Sequence, residues 1–178
     1  MSASLKPLTL EEFLDWERSQ ELRYEFDGIQ PVAMTGGSRP HSRIGTRLVA
    51  ALSARVKPPC EVFAPDLKVI TTGRARYPDG SVVCASSGDD DSDLIEPTVV
   101  FEVVSPSTAL TDRRVKAIEY RAVSSILVYL VLEQDRPEIT IRRRSGEWEA
   151  ETVAGLDATL ELPEINVRIP LATIYGPA

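Results

Sequence analysis

Apolar and polar positions along this chain change period several times, from helical to extended and back. Thr9 followed by Glu12 has the spacing of a capping box and stands just ahead of Phe13 and Leu14. A short helix is therefore expected over residues 9–19, ending before Tyr24. Tyr24 to Met34 alternates around Gly28 and Pro31 and reads as a strand or hairpin arm turning at Asp27 and Gly28. Pro31 has no N–H to give to a ladder, which places this piece near a sheet edge. Ile44, Leu48, Ala51, Leu52 and Val56 then recur at helical spacing behind a Ser38–Pro40 start signal, and Pro58-Pro59 stop that helix.

Three extended segments follow, 61–71, 77–85 and 98–105, the first two joined by a glycine-containing turn at 72–75. The third, TVVFEVVS, is almost wholly apolar and fits a strand covered on both faces, so its one charged residue, Glu102, is costly to bury unless paired or bound to a metal. After the Ser105-Pro106-Ser107 break, Val115, Ile118 and Ala122 mark the expected inner face of a third helix over 111–123, and Ile126 to Leu132 supplies another buried strand. A strand–helix–strand crossover makes the two strands parallel. Glu138 to Arg144, Trp148 to Val153 and the proline-punctuated tail read as strands on the outer edge of the sheet. The expected fold class is α/β of the α+β type, a central mixed sheet flanked by helices, with one domain over 1–178.

Composition narrows the function classes. Apolar residues at 43% suffice for a core, and the longest apolar run, Ile126–Leu132, is far short of the roughly 20 residues of a membrane-spanning helix. No secretory signal core precedes the first helix, and two cysteines, Cys60 and Cys84, are too few for a disulfide framework, so a cytoplasmic, reducing address is expected. A net charge of -7 argues against a protein that coats nucleic acid through bulk electrostatics. The acidic run from Gly88 to Glu96 reads as a solvated loop in preference to a calcium site, because it lacks the glycine turn and spaced ligands of a calcium loop.

Two carboxylates stand in awkward places: Asp79, in Tyr77-Pro78-Asp79-Gly80 at a strand start, and Glu102. On neighbouring strands they could converge at a sheet edge, and paired oxygen donors suit a hard divalent cation such as magnesium. The plainer possibility is that Asp79 caps a turn while Glu102 forms a satisfied ion pair. Asp112, Lys116 and Tyr120 repeat at i, i+4 and i+8 on one face of the third helix. Lys116 could reach back to the carboxylates, or it could simply pair with Asp112 on the helix surface. His41, the only histidine, is placed on the inner face of the second helix, where a packing role is the commoner one. Neither cysteine has an informative context, and no phosphate-cradling glycine motif is present.

Tyr24-Glu25, His41, Tyr77-Pro78-Asp79, the stretch Phe101 to Thr108 (FEVVSPST), and Asp112 with Lys116 and Tyr120 together resemble the Uma2 family, within the restriction-endonuclease-like PD-(D/E)xK group. A second PD, Pro65-Asp66, shows that the dipeptide alone is weak evidence. The resemblance implies that Asp79 and Glu102 bind a metal, magnesium or else manganese, with Glu25 completing its shell. It also implies a catalytic set of Asp79, Glu102 and Lys116, supported by His41, Asp112 and Tyr120. Val104 occupies the position where the general pattern has lysine, and Lys116 is the candidate replacement. The expected activity is metal-dependent hydrolysis of nucleic acid, DNA in the first instance, by a homodimer. The rival class is a non-catalytic binding or assembly module that keeps the fold. Arg74, Arg76, Arg113, Arg114, Arg121 and Arg142 to Arg144 are the expected positive surface.

Overall fold

The computed structural model describes residues 7–34, 36–85, 95–104 and 111–176, with the backbone alone at 111–113. Helix α1 (Leu10–Glu17) begins at the expected capping box: the Glu12 amide donates to Thr9 Oγ1 at 3.1 Å and the Thr9 amide to Glu12 Oε2 at 2.8 Å. Strands β1 (Tyr24–Phe26) and β2 (Pro31–Ala33) form a hairpin whose turn is closed by Asp27, which accepts from the amides of Ile29 and Gln30, both at 2.8 Å. Gly28, at φ +94, provides the left-handed backbone this turn needs. Helix α2 (Arg39–Ser53) is capped by Ser38 with proline in its first turn.

The segment 61–71 is not the single strand its pattern suggested. It divides into β3 (Glu61–Phe63) and β4 (Val69–Thr71), which belong to different sheets. Pro65 cannot donate to a ladder and the Asp66 amide turns back to the Ala64 carbonyl at 2.7 Å, so the chain is redirected between them. The glycine turn is found, but it joins β4 to β5 (Arg74–Arg76), with Gly73 at φ +71. These strands complete a four-stranded antiparallel sheet in the order β2-β1-β5-β4, with β2, the strand carrying Pro31, at its edge.

The central sheet holds six strands in the order β10-β9-β8-β7-β6-β3, adding β6 (Gly80–Val83), β7 (Val99–Val104), β8 (Val128–Glu133), β9 (Glu138–Arg143) and β10 (Ala150–Ala154). Strands β7 and β8 run parallel, in register from Val99 opposite Val128 to Val104 opposite Glu133, and the other pairs are antiparallel. The sheet is mixed, as expected, and β7 and β8 are buried along their whole length.

The crossover between them departs from its expected packing. Its backbone is π-wound over Thr111–Lys116 before becoming α3 (Ala117–Ala122), and the wider turn shifts the helical phase. Val115 and Ile118 consequently face outward, at 39% and 73% exposure, and Ala122 is also exposed. Lys116, Ala117, Glu119 and Tyr120 are the buried residues. The tail also differs: β11 (Thr159–Leu162) and β12 (Val167–Pro170) form a separate two-stranded sheet that leads into α4 (Leu171–Tyr175). With α2 they cover one face of the central sheet, enclosing Leu48, Leu52, Phe101, Leu130, Leu160 and Ile169. The other face packs Val100, Val104, Tyr129 and Val131 against Tyr120, Ile126 and Trp148. Cys60 and Cys84 are joined as a disulfide. The β3–β6 register sets Glu61 opposite Val83, so the flanking cysteines meet through a pairing neither one's local sequence signals, and the cysteine count no longer argues for a reducing address.

Candidate active site

Glu102 lies in mid-β7 on the side facing α3, only 5% exposed. Its Oε1 accepts from Lys116 Nζ and from the Tyr120 hydroxyl, each at 2.9 Å. The π-wound turn ends at Lys116, and Tyr120 follows one helical turn later, so the same phase shift that exposes Val115 directs both donors inward. Lys116 Nζ also lies 3.2 Å from Glu25 Oε1, on β1 of the neighbouring sheet. Glu25 is held from its far side by Arg76, whose Nη1 donates to Oε2 at 3.0 Å, and by the Tyr77 amide at 3.3 Å. Arg76 in turn forks onto Glu119, with Nε to Oε2 at 2.7 Å and Nη2 to Oε1 at 2.9 Å, and Arg74 pairs with the same carboxylate. Three carboxylates and three cations thus alternate through the contact between β1, β5, β7 and α3.

The proton affinities follow from this alternation. Burial raises the Tyr120 pKa well above the ordinary phenol value and the Glu102 charge adds to it, so its hydroxyl remains a donor. Burial alone would raise Glu119, but the hydrogen bonds and charge of Arg76, joined by Arg74, outweigh it and hold the carboxyl below its usual range. Burial likewise works against the Arg76 charge, and Glu119 and Glu25 reverse the balance and hold its pKa above normal. Tyr77 is pushed up to about 12 by burial and its hydrogen bond to Glu17.

Asp79 immediately precedes β6. Gly80 pairs with Phe101, which sets Asp79 opposite Glu102 one step beyond the ladder. A side chain at Gly80 could not fit, because a Cβ there would lie 2.2 Å from the Phe101 ring. Asp79 Oδ2 accepts from the Val103 amide at 2.7 Å and lies 3.0 Å from His41 Nε2. His41 can stand there because Gly37 is bare, since a Cβ on that glycine would come within 2.6 Å of His41 Nδ1. Beside the pair is a cleft of about 600 Å³ lined by Met34, Gly37, His41, Gly45, Pro65 and Asp79. Asp79 is therefore approached from the α2 side of β7 and Glu102 from the α3 side.

The structure thus gathers Glu25, Glu102, Lys116 and Tyr120 into one network, and sets Asp79 and His41 as a second pair whose hydrogen bond falls on the residue after Glu102. Among the described residues no three His, Cys, Asp or Glu groups are placed to hold one metal ion. Asp66 of the second PD is elsewhere and exposed, 3.6 Å from Arg23. Lys116 is not a surface partner of the helix: it is 8% exposed and bridges two carboxylates. The Asp112 side chain, Ser105 to Thr108 and the acidic residues 88–94 lie outside the described residues. Arg76 and Glu119 were not readable as site residues, because the contacts that involve them join positions 43 and 51 apart in the chain.

The family model for Uma2, described as "Putative restriction endonuclease", matches residues 10–172. The chain belongs to the Uma2 family. It is 32% identical over 180 residues to the uncharacterized protein slr1290 of Synechocystis, covering 98% of this chain and 94% of that one. A second Synechocystis protein, sll1609, is 25% identical over 173 residues, covering 93% and 98%. The crystal structure of a "putative nuclease belonging to DUF820" from Anabaena variabilis superposes with a TM-score of 0.76 at 19% identity, covering 95% of this chain and 98% of that one. This Uma2 protein therefore has the same restriction-endonuclease-like architecture. Among the described residues no helix is long and apolar enough to cross a membrane.

Proposed function

We propose that this Uma2 protein hydrolyses phosphodiester bonds of nucleic acid, DNA before RNA, with magnesium, or manganese in its place, held by Asp79 and Glu102. The observation that carries the reading is Lys116: a buried lysine on the Glu102 carboxylate, in a chain with Val104 at the usual lysine position, while Asp79 stands opposite Glu102 just ahead of the neighbouring strand. Carboxylate oxygens such as those of Asp79 and Glu102 suit magnesium, which retains several waters and takes further oxygens from a phosphate. When bound, such a cation polarises the scissile phosphate and lowers the pKa of its water. The Val103 amide and His41 orient Asp79, and Tyr120 orients Glu102. Lys116 supplies positive charge where the transferring phosphate becomes more negative. Glu25, fixed by Arg76, holds Lys116; for it to enter a metal's shell the lysine would have to swing away.

The test is cleavage of labelled DNA and RNA with magnesium, manganese or chelator, with Asp79→Ala as control. Activity that requires the cation and disappears in Asp79→Ala supports the reading, and cleavage insensitive to chelator removes it. A second reading, a non-catalytic binding or assembly module, is favoured by the fact that Lys116 and Tyr120 already satisfy Glu102. It predicts no magnesium-induced rise in thermal stability, whereas cation binding to the native state must produce one. Homodimerisation through the free edge of β10 is part of the proposal, and light scattering that returns a monomer at micromolar concentration removes that part.

A further inference from the structure

The arginines expected to form one positive surface are divided by the fold into three groups. Arg74 and Arg76 are engaged by Glu119 and Glu25 in the buried network. Arg143 is held by Glu164 and Glu151, while Arg144 is bonded to the carbonyls of Ile126, Arg121 and Val123 with its guanidinium 5.2 Å over the Trp148 ring. The Arg113 side chain lies outside the described residues, and that leaves Arg114, Arg121 and Arg142, which line a single cleft of about 290 Å³ with Ala117, Ile118 and Trp148. Among the described residues no carboxylate lines this cleft, and none of the three arginines has an ion-pair partner. In a chain of net charge -7 that is an unusual concentration of uncompensated positive charge.

The floor of the cleft is constrained as well as charged. Glu147 and Trp148 both adopt left-handed backbone, at φ 55 and 67, a conformation that costs free energy in residues other than glycine. The strained turn is tied on both sides, by the Trp148 amide to the Arg143 carbonyl at 2.9 Å and by Arg142 Nη1 to the Trp148 carbonyl at 2.7 Å. It holds the indole, 6% exposed, in the cleft wall under the Arg144 guanidinium, while Ile118 has 73% of its surface open to water. Unpaired cations beside an exposed aliphatic side chain can bind a phosphodiester backbone and accommodate the adjoining sugar.

We infer that the outer face of α3 is a docking surface for the nucleic-acid backbone, gripped by Arg114 and Arg121 in the cleft they share with Arg142 and Ile118. This rests on the nuclease reading above and specifies where the polymer lies. Lys116 and Arg114 belong to the same π-wound turn, so one short element presents a cation inward to the site and another outward to the strand. Phosphates on either side of a scissile bond would meet both within a few nucleotides, since an α-helix with its side chains is only about 10–12 Å across. The same helix then couples strand position to the active site.

The test is fluorescence anisotropy of labelled single-stranded and duplex oligonucleotides on the full chain, in chelator so that nothing is cleaved, across about 50 to 300 mM salt. The double variant Arg114→Gln/Arg121→Gln is compared with the charge-matched control Arg18→Gln/Arg168→Gln, whose arginines are exposed and paired locally with Asp15 and Glu161. The expected result is an affinity loss of about tenfold in the first and little change in the second, with the slope of log affinity against log salt reduced by about 1.8 for duplex in the first variant alone. Equal losses in the two variants, an unchanged slope, or no binding by the unmodified protein overturns the proposal. Circular dichroism and the thermal midpoint of each variant confirm that the comparison is between folded proteins. Cleavage of the same labelled oligonucleotides by the unmodified protein with magnesium or manganese in place of chelator reports separately on the reaction. Its absence would remove the nuclease reading while leaving the affinity comparison able to stand or fall by itself.

Discussion

On the α2 side of the central sheet, Leu48, Leu52, Phe101, Leu130 and Ile169 bury one another, with the Asp79–His41 pair at the margin of that face. On the α3 side, strands β7 and β8 meet a helix that buries Lys116, Glu119 and Tyr120. The first face is held by apolar burial, whose contribution scales with area and depends little on exact orientation. The second combines an apolar cluster around Val100, Val104, Tyr129 and Val131 with ion pairs whose desolvation is costly, so that removing one member leaves an uncompensated charge. Such an arrangement contributes little net stability for the charge it buries. Its consequence is orientation: Glu102 is fixed by two donors, and Lys116 is fixed between Glu102 and Glu25. The two faces therefore differ in kind, one apolar in its packing and the other adding charges fixed in orientation.

Substitutions on the two faces should therefore fail in different ways. Glu102→Gln carries the largest expected effect: cleavage falls about a thousandfold or more, about 4 kcal/mol of transition-state stabilisation, and the magnesium-induced rise in melting temperature disappears. A variant that cleaves normally would show that the α3 face is not the site. Leu48→Ala on the opposite face should cost about 2–5 kcal/mol in a urea titration through the cavity it opens, while the magnesium-induced shift persists. Loss of that shift in Leu48→Ala would mean that the two faces are not separable.

Lys116→Ala should lower turnover by about 100-fold, the loss of one electrostatic stabiliser. Magnesium affinity should not weaken, because the nearby carboxylates lose a competing cation. Titration calorimetry and single-turnover cleavage on the same preparation check both, and unchanged turnover would reduce Lys116 to a structural counter-ion. The pH dependence is smaller and has a definite sign. The Glu119 pKa is depressed on folding, so its stabilisation is fully present above the unfolded value of about 4.3 and is lost as pH falls through the lower folded value. Urea midpoints measured from pH 6 downward should fall less steeply in Glu119→Gln than in the unmodified protein. Arg168→Ala, at an exposed pair with Glu161 on the remote two-stranded sheet, should change stability by no more than about 0.5 kcal/mol. A larger loss there would show that surface pairs matter in this protein and would weaken the contrast between the faces.

Local signals were legible. The capping box at Thr9 and Glu12, the Ser38 start of α2, the Asp27-Gly28 turn and the parallel β7–β8 crossover all depend on residues close in sequence or on one strongly apolar run. The expectation failed where winding or path changed between signals. Val115 and Ile118 have helical spacing for an α-helix, but a π-wound turn carries them outward. Val62 and Val69 look like parts of one strand, but Pro65 and the Asp66 turn divide them between two sheets.

From the order of its residues alone the chain determines its α+β architecture, its family resemblance, and the presence of two conspicuous acids, Asp79 and Glu102, and a lysine, Lys116. These follow because hydrophobic period, caps and prolines act within a few residues of themselves. Only the tertiary structure decides that Arg76 locks Glu25, that Cys60 meets Cys84, and that three arginines from separate elements share a cleft with Trp148 while their neighbours are neutralised. A charge in sequence carries no record of its distant partner. Whether it ends in a buried pair or open to solvent is set by the packing of elements tens of residues apart, and that packing separates the arginines that hold the site together from those left free to meet a ligand.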